Sequence, residues 1–139
     1  MRILIDTNVV LDWLLRREPH YNNAKLILHL SEKRQIHGFI SASAITDVFY
    51  TVSKVFKSKE KARELLNNLF GAINIAMVDD STIKNAFNLE WRDFEDSVQY
   101  MVGKNIDANY IVTRNANDFA NSKIKAISPE DLLNIIAPR

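Results

Sequence analysis

Short apolar segments alternate with longer amphipathic segments along the chain. Five segments, residues 3–5, 38–40, 73–78, 110–112 and 126–127, are short and mostly rich in branched side chains, which is typical of strands covered on both faces. Helical periodicity between them predicts six helices, at about residues 9–16, 21–33, 43–56, 59–70, 81–91 and 94–104. A further helix is predicted after Ser128, because Pro129 follows at the first helical position and Asp131 lies at the capping-box position.

This order of strands and helices predicts the architecture. A strand followed by a helix, repeated along the chain, is typical of an α/β fold with a central, mostly parallel sheet and helices on both faces. We therefore expect about five short strands flanked by about seven helices. We find no internal repeat, low-complexity tract or second domain, so residues 1–139 are predicted to form one domain.

The amino-acid composition excludes several kinds of functional site. The 139 residues are 47% hydrophobic and 25% charged, as in ordinary globular domains. Cysteine is absent, which excludes thiolate zinc sites, iron–sulfur clusters, cysteine nucleophiles and disulfides. The chain has only 3 glycines, too few for a phosphate-binding or dinucleotide-binding loop, and its 3 histidines show no metalloprotease spacing. Carboxylates remain as the candidate functional groups.

Charge and hydropathy bear on location and partners. The net charge is +1, so a basic surface for nucleic acid would have to be local. Residues 54–63 carry five positive charges and one negative charge, which fits either a solvated corner between two helices or a patch that binds nucleic acid. No signal peptide and no apolar run of about 20 residues is evident, so we expect a cytoplasmic protein without a membrane segment.

Acidic residues recur where the predicted strands end. Asp6 closes the first strand, Asp47 lies one helical turn after Ser43, and Asp118 follows the fourth strand. Asp93 and Asp96 are three residues apart at the start of a helix and therefore share a face. Because ligands of open parallel sheets bind beyond the carboxyl ends of the strands, these four segments are expected to bring carboxylates to one edge.

Each acidic residue also has a purely structural explanation. Asp6 and Asp93 are suitable helix caps, Asp96 is favoured by the helix dipole, and Asp118 is a common type of turn residue. Asp47 is explained less easily, since aspartate is unfavourable inside a helix. Carboxylates that converge in one cleft raise each other's proton affinity, and a divalent cation relieves the repulsion. Oxygen ligands without cysteine or histidine favour Mg²⁺ or Mn²⁺, and such a site is suited to phosphodiester hydrolysis.

The chain resembles the PIN domain family in four blocks. These are residues 5–12 (IDTNVVLD), residues 40–43 leading to Asp47, residues 93–99 (DFEDSVQ), and residues 110–115 (YIVTRN) followed by Asp118 and Phe119. The order and spacing of the blocks cover essentially the whole chain. The resemblance implies a PIN-like α/β fold and a Mg²⁺-dependent ribonuclease, most often the toxin of a VapC-type toxin–antitoxin pair. It also implies a homodimer, an RNA substrate and a cognate antitoxin protein.

Site residues follow from the resemblance by position. Asp6, Asp47 and Asp96 would form the acidic core that binds the metal, and Asp118 or Asn115 would complete it. The resemblance further suggests that Thr7, Asn8, Ser43, Asp93 and Thr113 support the carboxylates, waters or phosphate, and that Arg114 contacts the scissile phosphate or pairs with a site carboxylate. Two positions depart from the family pattern. Position 47 is Asp where Glu is usual, and position 115 is Asn where Asp is frequent.

A second function remains open at this stage. If the two departures abolish turnover, the acidic cleft would serve an interaction module that docks a basic segment of a partner. Other acidic α/β folds fit less well. A haloacid-dehalogenase-type phosphatase requires a second aspartate where Asn8 stands, and a receiver domain requires an acidic pair where the first strand offers Asp6 alone.

Overall fold

A parallel five-stranded sheet forms the centre of the protein in the computed structural model, which describes residues 1–137. The strands are β1 (Arg2–Ile5), β2 (His37–Ser41), β3 (Asn74–Ala76), β4 (Tyr110–Val112) and β5 (Lys125–Ile127). The α-helices of the described residues are α1 (Thr7–Leu14), α2 (Tyr21–Glu32), α3 (Ala42–Phe56), α4 (Lys59–Ala72), α5 (Asp80–Asn88), α6 (Phe94–Asn105) and α7 (Pro129–Ile136). The predicted fold class is confirmed.

The order of the strands places the edge at which a ligand would bind. The sheet runs β3-β2-β1-β4-β5, and every neighbouring pair is parallel. The chain first builds outward from β1 to β3 and then returns to pair β4 with the other side of β1. The point where the direction reverses therefore lies between β1 and β4, and open α/β sheets bind ligands beyond the carboxyl ends of strands at such a point.

The two faces of the sheet bury separate cores. Side chains alternate along β1, so Ile3 and Ile5 pack into one core while Leu4 packs into the other. The first core is closed mainly by α1, α2, α3, α4 and α7. The second is closed by α5, α6 and the loop after β4. Gly103 lets α6 approach the sheet closely, because a Cβ atom there would lie 3.0 Å from the Ile124 side chain.

Polar side chains fix where most helices begin. A side-chain oxygen of the residue before the helix accepts a backbone N–H of the first turn in α1, α3, α4, α5, α6 and α7. The capping residues are Asp6, Ser41, Ser58, Asp79, Asp93 and Ser128. The structural explanations for Asp6 and Asp93 are thus correct, and a cap at these positions also fixes where the carboxylate lies.

Three local features differ from the predicted elements. β3 covers Asn74–Ala76 and not the whole of 73–78. Helix α5 ends at Asn88, before the predicted end at Trp91. Glu90 has a φ of 54°, a left-handed conformation that ends the helix, and the Trp91 ring stacks on Tyr100 with the ring centroids 4.9 Å apart. A short 3₁₀ helix at Ala116–Phe119, which the pattern did not predict, carries Asp118.

The basic stretch 54–63 forms a corner between two helices, as one of its two interpretations required. Helix α3 ends at Phe56, and Ser58 caps the start of α4. Lys57 between them has a φ of 51°, a left-handed conformation that ends α3.

Within residues 1–137, none of the helices is both long enough and apolar enough to cross a lipid bilayer.

Candidate active site

Asp6 lies at the carboxyl end of the central strand β1, where its carboxylate accepts three hydrogen bonds. Thr113 Oγ1 donates to Oδ2 at 2.8 Å, while Gln99 Nε2 and the Thr7 backbone N–H donate to Oδ1 at 3.1 and 2.8 Å. Burial raises the pKa of Asp6 above 3.8, although the bonds from Thr113 and Thr7 oppose this. The charge of Asp118 raises the pKa further.

Asp96 lies in the first turn of α6 and faces the same region. The pKa of this carboxyl is raised from 3.8 to about 7, first by burial and then, in decreasing order, by the charges of Asp93, Asp118, Asp6 and Glu95. Asp93 caps α6 by accepting the Asp96 backbone N–H at 3.1 Å. The cap therefore holds the two aspartates beside each other at the start of the helix.

The charges of three other predicted site carboxylates act on Asp96. Asp6, Asp93, Asp96 and Asp118 come from three separate segments of the chain, and the charges of the other three all raise the pKa of Asp96. Asp47 stands on the exposed side of α3 and affects this group through Glu95, whose pKa is raised by burial first and then by the charges of Asp47, Asp93 and Asp6. The carboxylates of these acidic residues therefore lie near one another at the carboxyl end of β1.

Three buried oxygens near Asp6 have no hydrogen-bond partner within the described residues. They are Thr7 Oγ1, Asn8 Oδ1 and Gln99 Oε1. Buried polar atoms are normally paired, so oxygens left unpaired beside carboxylates indicate a place where a ligand or water completes the bonding. These oxygens and the carboxylates are the donor types that Mg²⁺ and Mn²⁺ select. In their chemistry the residues fit such an ion.

The carboxylates do not form a closed ligand set as they stand. Among residues 1–137, no three acidic or histidine side chains lie close enough together to hold an ion. An ion would therefore have to draw the carboxylates closer, against the repulsion that raises the Asp96 pKa in its absence. The structure thus establishes a concentration of charge and oxygen donors but not a preformed coordination shell.

The loop after β4 is anchored by a buried ion pair that involves none of the predicted site carboxylates. Arg114 Nε lies 2.8 Å from Asp12 Oδ2, and Arg17 Nε lies 2.9 Å from Asp12 Oδ1. Asp12 is only 1% exposed, so both guanidinium groups compensate a charge that would otherwise be buried alone. The suggested pairing of Arg114 with a site carboxylate is therefore replaced by a pairing with Asp12, and its contact with phosphate stays a prediction.

Thr113 and Asn115 share the anchored loop but have different positions. Thr113 is fully buried, and its Oγ1 both donates to Asp6 and accepts the Asn115 backbone N–H at 3.0 Å. The Asn115 side chain borders a separate cavity with His20 and Arg114, whereas Asp118 borders a cavity together with Asp96. This geometry favours Asp118 over Asn115 as the fourth acidic residue.

Ser43 belongs to the start of α3. Its hydroxyl lies 2.6 Å from the Ser41 hydroxyl, and its backbone N–H donates to the same oxygen. Within the described residues it makes no hydrogen bond to a site carboxylate. Its support of waters or phosphate stays a prediction.

Sequence reasoning missed three residues of this region as site residues. Gln99 follows Asp96 by three positions and so lies on the same face of α6, a spacing that could have identified it. Glu95 precedes Asp96 directly, and its charge affects the cluster from the exposed side. Asp12 interrupts an apolar helix pattern five residues before Arg17, which is a signal for a buried ion pair.

The fold and this cleft define the class of protein, a parallel α/β domain with an oxygen-only acidic site beyond the carboxyl end of its first strand. A model of the PIN domain family matches residues 2–117. The chain therefore belongs to the PIN domain family.

Individual relatives agree with this assignment. Ribonuclease VapC1 of Aquifex aeolicus is 22% identical over 135 residues, which cover 94% of this chain and 92% of the relative. A toxin–antitoxin complex from Klebsiella pneumoniae contains a chain with a TM-score of 0.67 and 20% identity, covering 91% of this chain and 97% of that one. PAE2754 from Pyrobaculum aerophilum has a TM-score of 0.68 at 16% identity, covering 100% of this chain and 97% of its own. At these identities the solved structures show a common fold.

Proposed function

We propose that the protein is a metal-dependent endoribonuclease. The observation that carries the proposal is the convergence of half-buried and exposed carboxylates on Asp96, whose pKa is raised to about 7 by burial and then by the charges of its acidic neighbours. Asp6 and Asp96 are the proposed direct ligands of Mg²⁺ or Mn²⁺, and Asp118 is the proposed fourth acidic group. The relative named as a ribonuclease, which this chain matches over 94% of its length, supports the same activity.

The chain's own residues would position the reaction. When bound, a divalent cation supplies an activated water and neutralises the charge that develops on the phosphoryl group. Thr113 Oγ1 and Gln99 Nε2 fix the two oxygens of Asp6, so that carboxylate is already oriented. Asp47 and Glu95, which are both exposed, are the proposed acceptors of the proton of the attacking water. Hydrolysis would leave a 5′-phosphate and a 3′-hydroxyl.

The experiment is cleavage of labelled single-stranded RNA by purified protein with Mg²⁺ or Mn²⁺ and with EDTA. We expect products only with the cation, and we expect Asp6→Asn and Asp96→Asn to remove them. Asp131→Asn is a matched control, because Asp131 is also in the first turn of a helix behind a side-chain cap, at the exposed start of α7. Cleavage that continues in Asp6→Asn with EDTA would reject the assignment.

We also propose that the protein is the toxin of a toxin–antitoxin pair, forms a homodimer and acts in the cytoplasm, where its RNA substrate would be found. Solved relatives include toxin–antitoxin complexes. An apolar groove of about 720 Å³ between α3 and α4, lined in part by Ile45, Phe49 and Phe70, is available for a protein partner. Copurification with a small basic protein encoded in the neighbouring reading frame tests the pairing, and light scattering tests the dimer.

The same reagents separate the enzyme from a non-catalytic interaction module. The absence of a closed ligand set in residues 1–137 is the observation that favours the module. Tight binding of the neighbouring protein, with no RNA turnover at any cation concentration, would establish it. RNA turnover that the neighbouring protein inhibits would establish the toxin.

A further inference from the structure

A cavity of about 520 Å³ opens directly beside the acidic cluster. Asp96 and Asp118 form part of its wall, together with Trp91 and Arg92 from the segment before α6 and Asn117 and Asn121 from the segment after β4. Its volume lies within the usual range for small-molecule sites and is enough for a nucleoside. None of the chemistry assigned above to the carboxylates uses the aromatic and amide side of this cavity.

Trp91 is held rigidly in the wall. The buried Tyr100 ring stacks on it with an interplanar angle of 20°, and Phe119 contacts it in an edge-to-face arrangement with ring centroids 6.4 Å apart. The indole is nevertheless only partly buried and borders the cavity. Because its orientation is fixed by packing, little conformational entropy would be lost when a flat ligand contacts it. Nucleobases are flat ligands of this kind, and they stack on aromatic side chains in most proteins that bind single strands.

The polar groups of the cavity complement the rest of a nucleotide. The amides of Asn117 and Asn121 each offer donors and an acceptor, which suits the edge of an unpaired base. Among residues 1–137, Arg92 forms no ion pair, so its guanidinium is available to a phosphate or to a second stacking contact. Asp93, Asp96 and Asp118 line the same cavity and would accept a phosphate only together with a cation. The cavity therefore offers groups for the base and, with a cation, for the phosphate.

We propose that this cavity is the binding site for one unpaired nucleobase of the RNA, adjacent to the scissile phosphate at Asp96 and Asp118. Trp91 stacks on the base, and Asn117 and Asn121 determine which base is preferred. The inference rests on the proposed ribonuclease function and adds to it a residue-level origin for sequence preference. It also predicts an RNA substrate that is single-stranded or looped, because a paired base could not enter the cavity.

The test uses ligands that the enzyme cannot cleave. The chain has 2 tryptophans, and Trp13 packs in the core on the other face of the sheet, so Trp13→Phe leaves Trp91 as the only indole fluorophore. This variant is titrated with the four ribonucleoside 5′-monophosphates and with ribose 5-phosphate, all with Mg²⁺. We expect the nucleotides to quench Trp91 and to bind about tenfold or more tightly than the sugar phosphate, as expected for one stacked base. In the wild-type chain, the NMR signals of the two indole N–H groups report the same contact without any substitution.

Variants then separate base preference from general binding. The double variant Asn117→Ala/Asn121→Ala changes only exposed side chains, and we expect it to level the affinities of the four nucleotides. Asn68→Ala, on the exposed surface of α4, is the control and should leave the preference unchanged. Equal affinity for nucleotides and ribose 5-phosphate, or nucleotide binding that leaves the Trp91 signal unmoved, would overturn the proposal.

The outcomes also distinguish this inference from the proposed function. RNA cleavage without nucleotide quenching of Trp91 would leave the ribonuclease in place and remove the base site. Quenching by nucleotides in a protein that never cleaves RNA would keep the base site and remove the enzyme. Quenching by an arginine-rich peptide but not by nucleotides would show that the cavity receives a basic protein segment, which overturns the inference.

Discussion

Removing the charge of Asp96 should stabilise the metal-free protein at neutral pH. Its folded-state pKa is about 7, against an ordinary value of 3.8. The folded state therefore favours the protonated acid, and this contribution is fully present below about pH 4 and is lost as the pH rises through 7. Asn at position 96 imitates the protonated acid at every pH. We expect Asp96→Asn to unfold at a higher temperature than the parent at pH 8 in EDTA, and at a similar temperature at pH 4.

The size of the effect follows from the difference of about three pH units, each of which corresponds to about 1.36 kcal/mol. Because the Asp96 side chain is partly exposed, solvent screening reduces the total of about 4 kcal/mol to about 1–2 kcal/mol. For a domain of this length, that corresponds to a rise in Tm of about 3–8 °C. Differential scanning calorimetry at the two pH values measures it.

Asp131→Asn provides the control for this measurement. Asp131 occupies the equivalent position at the start of α7, so its substitution also loses the favourable contact of a carboxylate with a helix N-terminus, but it lies outside the acidic cluster. Its Tm should therefore fall slightly or stay the same. If Asp96→Asn raised the Tm at pH 8 no more than Asp131→Asn does, neither burial nor the neighbouring charges would disfavour the Asp96 charge, and the reasoning would be refuted.

Three further predictions concern stability. Asp12→Ala should lower the free energy of unfolding, measured by urea denaturation, by about 3 kcal/mol, because two guanidinium groups lose their buried partner. Arg2→Gln is the control. It removes an exposed ion pair at 3.9 Å and should change the free energy of unfolding by less than about 0.5 kcal/mol. Gly71→Ala should raise the free energy of unfolding by about 0.5–1 kcal/mol, since a Cβ atom at this helix position would meet open space. Gly38→Ala should lower it by about 1–3 kcal/mol, because the new Cβ would lie 2.5 Å from the buried Ser31 hydroxyl. Changes of the same sign in the two variants would contradict this account. Asp79→Ala should lower the Tm at pH 7, and the difference in Tm between the variant and the parent should shrink below about pH 4. Hydrogen bonds hold the pKa of the Asp79 carboxyl below 3.8, so the stability that this cap contributes is lost as the pH falls through that lowered value. A Tm difference that does not depend on pH would exclude this cause.

The sheet and the position of the acidic residues could be predicted because they depend on local patterns and one topological rule. Short branched runs predicted the five strands, and Asp6 follows the first of them directly. Parallel strands end at one edge, so carboxylates placed after several strands converge there. The charges of Asp6 and Asp118 raise the pKa of Asp96, and that of Asp118 raises the pKa of Asp6, which agrees with that expectation, while the roles of these residues in catalysis stay predictions.

The features that could not be predicted depend on contacts between distant residues. Asp12 and Arg114 are 102 positions apart, and only the folded chain shows that one buried carboxylate binds two arginines. The predicted end of α5 was wrong because Glu90 adopts a left-handed conformation, with a φ of 54°, that ends the helix before Trp91, whose ring stacks on Tyr100. That contact also places the aromatic wall of the cavity beside Asp96, which no spacing in the sequence indicates.

The central claim, that these carboxylates lie close enough together to bind a divalent cation, is tested most directly by calorimetric titration with Mn²⁺ at pH 7 without RNA. We expect saturable binding with proton release, because Asp96 is partly protonated at that pH before the ion enters. Asp6→Asn and Asp96→Asn should each weaken binding by about tenfold or more, which corresponds to about 1.4 kcal/mol, and Asp131→Asn should bind like the parent. Equal affinity in all four proteins, or no binding by the parent at millimolar Mn²⁺, would contradict the account.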